Sequence, residues 1–349
     1  MGHCVVRLVA IISLYHATDN PQADNQHRRH CVRSVSTRDL MRTDEQMPSG
    51  SRPINLLKLI QLLRPKQWSK NVFVFAAIIF SMKFNEADAV VNTIIATMSF
   101  SLLASSGYIY NDIRDVDADR NHPTKRYRPI ACGAVSKPVA FVAMLSTLTS
   151  GVLLATLLGW EFLLVALLYF VTTIAYSLVF KHILILDVMF LSACYLWRAA
   201  AGAVAIGVFI SPWLLTCTAF ISLFLGFNKR RGELSLLGDQ QAHANTRKNL
   251  NQYSTNLLVE FQAITTSGTI ISYALYTVLG SPTAWTLLSL PHVLYGVFRY
   301  IYLVSEHREG GSPDETLLND RPLIITGITY IITVIAVLLL HQSGMLPGE

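Results

Sequence analysis

The chain has 349 residues, of which 52% are hydrophobic and only 14% are charged, with a formal net charge of +6. So apolar a composition over this length excludes an ordinary soluble domain. The excess positive charge sits in the connections between apolar stretches, which fits anionic headgroups or phosphate substrates and gives no indication of nucleic-acid binding.

Residues 1–50 are a different material, rich in Arg, Asp, Asn, Gln and Ser, with one apolar run at 8–14. Arg7 precedes that run but no A-x-A-like site follows, so a disordered extension is the expectation over a signal peptide. Met41 and Met47 are alternative starts. In residues 51–66 apolar positions recur at helical spacing around Lys58 and Gln61, which predicts an amphipathic helix lying on the membrane interface. From residue 67 to 341, nine apolar stretches approach the ~20 residues that a bilayer requires. They are 67–84, 89–110, 139–158, 162–180, 183–208, 213–227, 257–279, 284–304 and 323–340, and a short tail of 342–349 follows. The expected fold is therefore all-α, an integral membrane bundle of nine transmembrane helices. Six Lys or Arg lie between residues 114 and 137 and five between 229 and 248, whereas the opposite side carries Lys83 alone. The positive-inside rule puts the basic loops in the cytoplasm and the C-terminus outside. Five cysteines, Cys4, Cys31, Cys132, Cys194 and Cys217, have no C-x-x-C spacing, so neither disulfides nor zinc is expected. The ten histidines form no ligand or catalytic motif either.

The second apolar stretch runs directly into N-D-I-R-D-V-D-A-D, residues 111–119. On a helical wheel Asp112, Asp115 and Asp119 fall at about 0°, −60° and −20°, while Asp117 falls at about 140°. Three carboxylates on one face repel each other, and hard oxygen ligands of this kind suit Mg²⁺ bridging to a diphosphate. Lys125, Arg126 and Arg128 follow within H-P-T-K-R-Y-R-P-I-A-C-G, so acidic ligands stand beside fixed cations, as a diphosphate site requires. In the fifth stretch Asp187 and Arg198 are about 20° apart on the wheel but ~16 Å apart along the axis, so each needs a partner on another helix or a polar cavity. Arg198 is open to two readings, a substrate contact or a structural ion pair.

N-D-x-x-D-x-x-x-D followed by H-P-x-K-x-x-R-P-I-A-x-G resembles the first aspartate-rich motif of the UbiA superfamily of intramembrane transferases. Members that use a prenyl diphosphate carry a second D-x-x-x-D after the sixth span. This chain reads Asn228, Lys229, Arg230, Arg231, Gly232, Glu233 there, with Arg247, Lys248 and Tyr253 beyond. That pattern, together with R-P-K-Q-W-S-K-N ending in Lys70 and Asn71 and with P-D-E-T-L-L-N-D-R-P-L at 313–323, is similar to the polyprenyl-phosphate phosphoribosyltransferase branch of the superfamily. Tyr176 and Lys181, in Y-S-L-V-F-K, resemble a third family motif at the mouth of the cavity; the alternative is an interfacial Tyr with a snorkelling Lys.

The resemblance implies a UbiA-type bundle in the plasma (bacterial inner) membrane with a cytoplasmic active site. It also implies transfer of 5-phosphoribose from phosphoribosyl pyrophosphate to a polyprenyl (decaprenyl) phosphate, with Mg²⁺ as cofactor, in the supply of pentose to cell-envelope glycans. Asp112, Asp115 and Asp119 are then the metal and catalytic set. Substrate contacts are expected from Asn111, Lys70, Lys125, Arg128, Tyr176, Lys181, Arg198, Lys229, Arg230, Arg231, Glu233, Arg247 and Lys248. The basic segment can also be read as a topology anchor, and Glu233 as an i to i+4 partner of Lys229. The competing functions are an aromatic prenyltransferase of the same superfamily and, from another class, a transporter or a binding module for phosphorylated lipids.

Overall fold

The computed structural model describes residues 56–121, 125–209, 211–238, 250–306, 316 and 319–346. The extension of residues 1–50, Arg247, Lys248 and residues 313–315, 317 and 318 of the 313–323 string lie outside them. Every regular element among the described residues is helical. In chain order these are α1 (Leu56–Leu63), a 3₁₀ helix (Pro65–Phe75) with α2 (Ala76–Phe80), α3 (Ala87–Arg114), α4 (Val116–Arg120), α5 (Lys137–Leu157), α6 (Trp160–Leu178) and α7 (Leu186–Ala205). They continue as α8 (Pro212–Gly238), α9 (Thr255–Leu275), α10 (Leu290–Glu306) and α11 (Arg321–Gln342).

Six segments are long and apolar enough to cross a membrane: α3, α5, α6, α7, Ala284–Glu306 (α10 with the 3₁₀ turn before it) and α11. Their outward faces carry Leu153, Leu157, Leu164, Val171, Ile325, Ile328 and Ile332, all exposed. Contiguous apolar surface on this scale belongs in lipid, so the protein is a multi-pass membrane protein. The other three expected stretches behave differently. Helices α8 and α9 have sufficient length but a more polar composition, with Asn228 to Arg231 in one and Thr265, Thr266, Ser267 and Thr269 in the other. Residues 67–84 do not form one helix at all; they break into the 3₁₀ helix, α2 and a short turn.

That broken segment survives because it is wrapped in protein, where side chains satisfy its polar groups. Trp68 Nε1 donates to Ser105 Oγ at 3.0 Å, Asn71 Nδ2 donates to Ser101 Oγ at 2.8 Å, and Ser105 Oγ lies 2.8 Å from the Leu63 carbonyl. The Val74 backbone rests on Gly202 of α7, where any Cβ would meet the Val74 carbonyl oxygen at 2.0 Å. The main apolar core lies between this segment, α3, α6 and α7, around Phe100, Phe162 and Tyr169. A second core joins α8, α10 and α11 around Phe224, Tyr300 and Leu323. A smaller cluster of Val188, Phe227, Leu250, Tyr253 and Leu258 joins α7, α8 and the start of α9.

Candidate active site at the end of the third helix

Helix α3 ends at Arg114 and α4 starts at Val116, with Asp115 at the joint (φ −92°, ψ 12°). The bonds Asp115 N to Asn111 O (2.9 Å) and Asp119 N to Asp115 O (2.8 Å) carry the i to i−4 ladder across it. Helical spacing therefore holds through the motif: Asp112 and Asp119 are buried, Asp115 is half-buried, and Asp117 points to solvent beside Arg120.

Each carboxylate of the inner face meets a cation. Arg128 Nη1 donates to Asp112 Oδ1 at 3.1 Å and to Asp119 Oδ2 at 2.6 Å. Arg64 Nη2 also donates to Asp112 Oδ1, and its guanidinium lies over the Tyr108 ring at 5.2 Å. Lys181 Nζ bridges Asp115 Oδ2 (2.8 Å) and Asn111 Oδ1 (3.4 Å). Among the described residues no three acidic, His or Cys side chains close on a single point. The physical reason is that unshielded carboxylates repel and each turns to a fixed cation instead. Asp112 and Asp119 nevertheless present two carboxylate oxygens to one positive nitrogen, and that hard-oxygen donor set is the kind Mg²⁺ takes.

The basic segment of α8 has a different geometry from a row of phosphate ligands. Arg230 is only 2% exposed; its Nε donates to Asp187 Oδ2 at 2.7 Å and its Nη1 to Glu233 Oε2 at 2.6 Å. Buried so, it forms ion pairs within the protein, to Asp187 and Glu233. Arg231 bonds Gln262 of α9. Lys229 precedes them on α8, and Tyr176 of α6 lies close enough to Arg230 to interact with it. Lys125 sits in the 3₁₀ turn Lys125–Tyr127. Asp187 also accepts from Tyr253 OH at 2.8 Å. Burial, reinforced by that carboxylate, raises the Tyr253 hydroxyl well above its ordinary range, so it stays protonated and donates.

Arg198 lies deep in α7, 3% exposed. Its Nε, Nη1 and Nη2 donate to Asn71 Oδ1, the Cys194 carbonyl and Tyr169 OH at 2.8, 2.8 and 2.9 Å, between the rings of Tyr169 and Tyr195. Lys70 lies near Cys194. Arg198 thus braces α7 against α6 and the 3₁₀ helix. It reaches Asn71 and Tyr169 rather than an acid, and it does not join the aspartate cluster. Sequence reasoning did not single out Arg64, although it opens the R-P-K-Q-W-S-K-N string; three aligned carboxylates needing three cations was the available signal.

A bundle of long apolar helices with carboxylates and cations interleaved where helices end defines a polytopic membrane protein with a cluster of internal ion pairs. The chain belongs to the UbiA prenyltransferase family, which matches residues 72–315. It is 32% identical over 308 residues to the decaprenyl-phosphate phosphoribosyltransferase of Mycolicibacterium smegmatis, covering 84% of this chain and 96% of that one. It is 34% identical over 295 residues to the enzyme of the same name from Corynebacterium glutamicum, covering 79% and 85%. Among solved structures it resembles a UbiA homolog from Archaeoglobus fulgidus bound to GPP and Mg²⁺, with TM-score 0.64, 18% identity, and 80% and 99% of the two chains covered.

Proposed function

We propose that this chain is a membrane phosphoribosyltransferase, moving 5-phosphoribose from phosphoribosyl pyrophosphate to a polyprenyl phosphate such as decaprenyl phosphate. The observation that carries this reading is the similarity to two phosphoribosyltransferases of that name, over most of both chains and through both the acidic and the basic segments. Asp112 and Asp119, with Asp115 and Asn111 beside them, would hold Mg²⁺. Bound there, the ion would neutralise the diphosphate and stabilise it as a leaving group.

The chain's own residues do the rest. Arg64, Arg128 and Lys181, now on carboxylates, would turn to the diphosphate oxygens when the substrate binds. Lys125, Lys229 and Arg231 are the candidates for the 5-phosphate and the lipid phosphate, with Arg230 and Glu233 holding their helix in place. An oxygen of the lipid phosphate attacks C1 of the ribose, and the C1–O bond to diphosphate breaks with its electron pair leaving on diphosphate. Configuration at C1 inverts. No general base is required, because an ionised phosphate is already a nucleophile. Apolar walls between helices accommodate the polyprenyl tail. We also read the bundle as nine crossings in the plasma membrane, adding the broken segment, α8 and α9 to the six apolar helices, with the site on the cytoplasmic side.

The test is to incubate purified protein with labelled phosphoribosyl pyrophosphate, Mg²⁺ and polyprenyl phosphates of several lengths, and to weigh the lipid product. Label should enter the lipid phase, stop with excess chelator and return with Mg²⁺. Prenylation of a hydroxybenzoate with phosphoribosyl pyrophosphate left untouched would replace this reading by an aromatic prenyltransferase.

A further inference from the structure

Ile185 stands at the centre of a γ-turn between Lys181 and α7, with φ 68° and ψ −47°. The turn is closed by a 2.8 Å bond from Leu186 N–H to the Leu184 carbonyl. Positive φ is a strained state for a β-branched residue, and it persists only where the surroundings over-determine it. Here the determinant comes from a distant part of the chain. Ile185 N–H donates to the Tyr253 oxygen at 2.9 Å, and Tyr253 OH donates to Asp187 Oδ1. The other oxygen of Asp187 is fixed by Arg230. All three side chains are buried, Tyr253 at 3%, Asp187 at 0% and Arg230 at 2% exposure. On the near side of the turn, the Phe180–His182 3₁₀ turn carries Lys181, whose Nζ meets Asp115.

We propose that Tyr253 is a positioning residue: its hydroxyl holds the strained Ile185 turn and thereby sets Lys181 against Asp115. The hydroxyl does this by serving two partners at once, accepting from the backbone of the turn and donating to the carboxylate at the start of α7. It couples the connection before α9, which follows the basic segment, to the acidic cluster at the end of α3 without touching substrate. The inference rests on the proposed reaction in one respect only, that Lys181 and Asp115 act in it.

Tyr253→Phe keeps the ring in its apolar cluster and deletes only the hydroxyl. In wild-type background it should lower kcat/KM for phosphoribosyl pyrophosphate about tenfold, the size of one lost hydrogen bond. In a Lys181→Gln background the same change should cost less than about twofold, because a residue that acts through Lys181 has nothing left to position. Ile185→Gly, which adopts positive φ without strain, should restore most of the loss in Tyr253→Phe. Losses that multiply in the double variant, or no rescue by Ile185→Gly, would overturn the proposal.

Hydrogen exchange gives a readout independent of turnover. The peptide covering residues 180–187 should exchange faster in Tyr253→Phe and recover with Ile185→Gly, while exchange in α3 stays at its wild-type rate. Unchanged exchange there would sink the positioning role even in an active enzyme. These exchange differences between the variants and the wild type, in a protein that transfers no phosphoribose, would count against the reaction alone. If Tyr253→Phe does not fold, Asp187→Asn, which keeps an acceptor for Tyr253 but weakens the hold of Arg230, is read by the same two measurements.

Discussion

Asp112 shares one oxygen between Arg64 and Arg128, so its removal takes the carboxylate from Arg64 and leaves Arg128 on Asp119, in a site that is only 2% exposed at the Asp112 carboxylate. Breaking a buried pair costs about 3 to 5 kcal/mol, most of it the stranded charge. Asp112→Ala and Asp119→Ala are expected to lose at least about a hundredfold in kcat/KM, and Asp115→Ala at least about tenfold. Asp117→Ala should stay within about twofold, since its one ion pair is on the surface. Steady-state turnover of phosphoribosyl pyrophosphate by the four variants checks this, and equal losses from all four would show bulk charge at work. The inner and outer faces of this motif are legible from the 3.6-residue period alone. The partners are not: Arg64 reaches Asp112 across 48 positions and Arg230 reaches Asp187 across 43, separations that no local pattern encodes.

Arg230 and Lys229 are neighbours in sequence with opposite expectations. Arg230→Gln strands Asp187, which has no exposure of its own, so it should lower the thermal midpoint in detergent while the folded fraction keeps its KM for phosphoribosyl pyrophosphate. Lys229→Gln should leave the midpoint alone and raise that KM about tenfold, the loss of one charge-assisted phosphate contact. The reverse pattern would return Arg230 to the phosphate site.

Helix α3 was legible because a long apolar run flows without a break into a polar end, and α5, α6, α7 and α11 likewise follow their apolar runs closely. The segment of residues 67–84 misleads for the opposite reason. Its apolarity is that of a crossing, but its backbone shape is dictated by close approach to α7, and the mark of that approach is a single glycine on another element. Gly202→Ala would drive a methyl group into the Val74 carbonyl, backbone against backbone, with no flexible side chain to give way. Overpacking of this kind costs about 1 to 3 kcal/mol or more. The variant should therefore melt several degrees lower, or fail to accumulate. Gly327→Ala on the exposed face of α11 meets nothing within 4 Å and should be neutral or slightly stabilising, because alanine is the better helix former. Equal melting of the two variants would mean that the Val74 contact is not made in the membrane.

The ion pairs show which helix ends lie together, and the proposed topology is built on them. Lys181 meets Asp115, Ile185 and Asp187 meet Tyr253, and Asp187 meets Arg230, so the end of α3, the start of α7, the end of α8 and the start of α9 lie together. Helix α7 then runs 20 residues, or about 30 Å, away from that side before the connection at Phe209. Helix α8 must return over the same distance, because Arg230 is back beside Asp187. On the nine-crossing reading proposed above, it is a crossing despite its polar end. With native cysteines replaced by alanine, single cysteines at Asp117 and Gln252 should resist a membrane-impermeant maleimide in intact cells, whereas one at Phe209 should react. Inverted vesicles should give the opposite result, as expected if the basic loops face the cytoplasm. Gln252→Cys that labels together with Phe209→Cys would show α8 to be re-entrant and would remove one of the nine crossings.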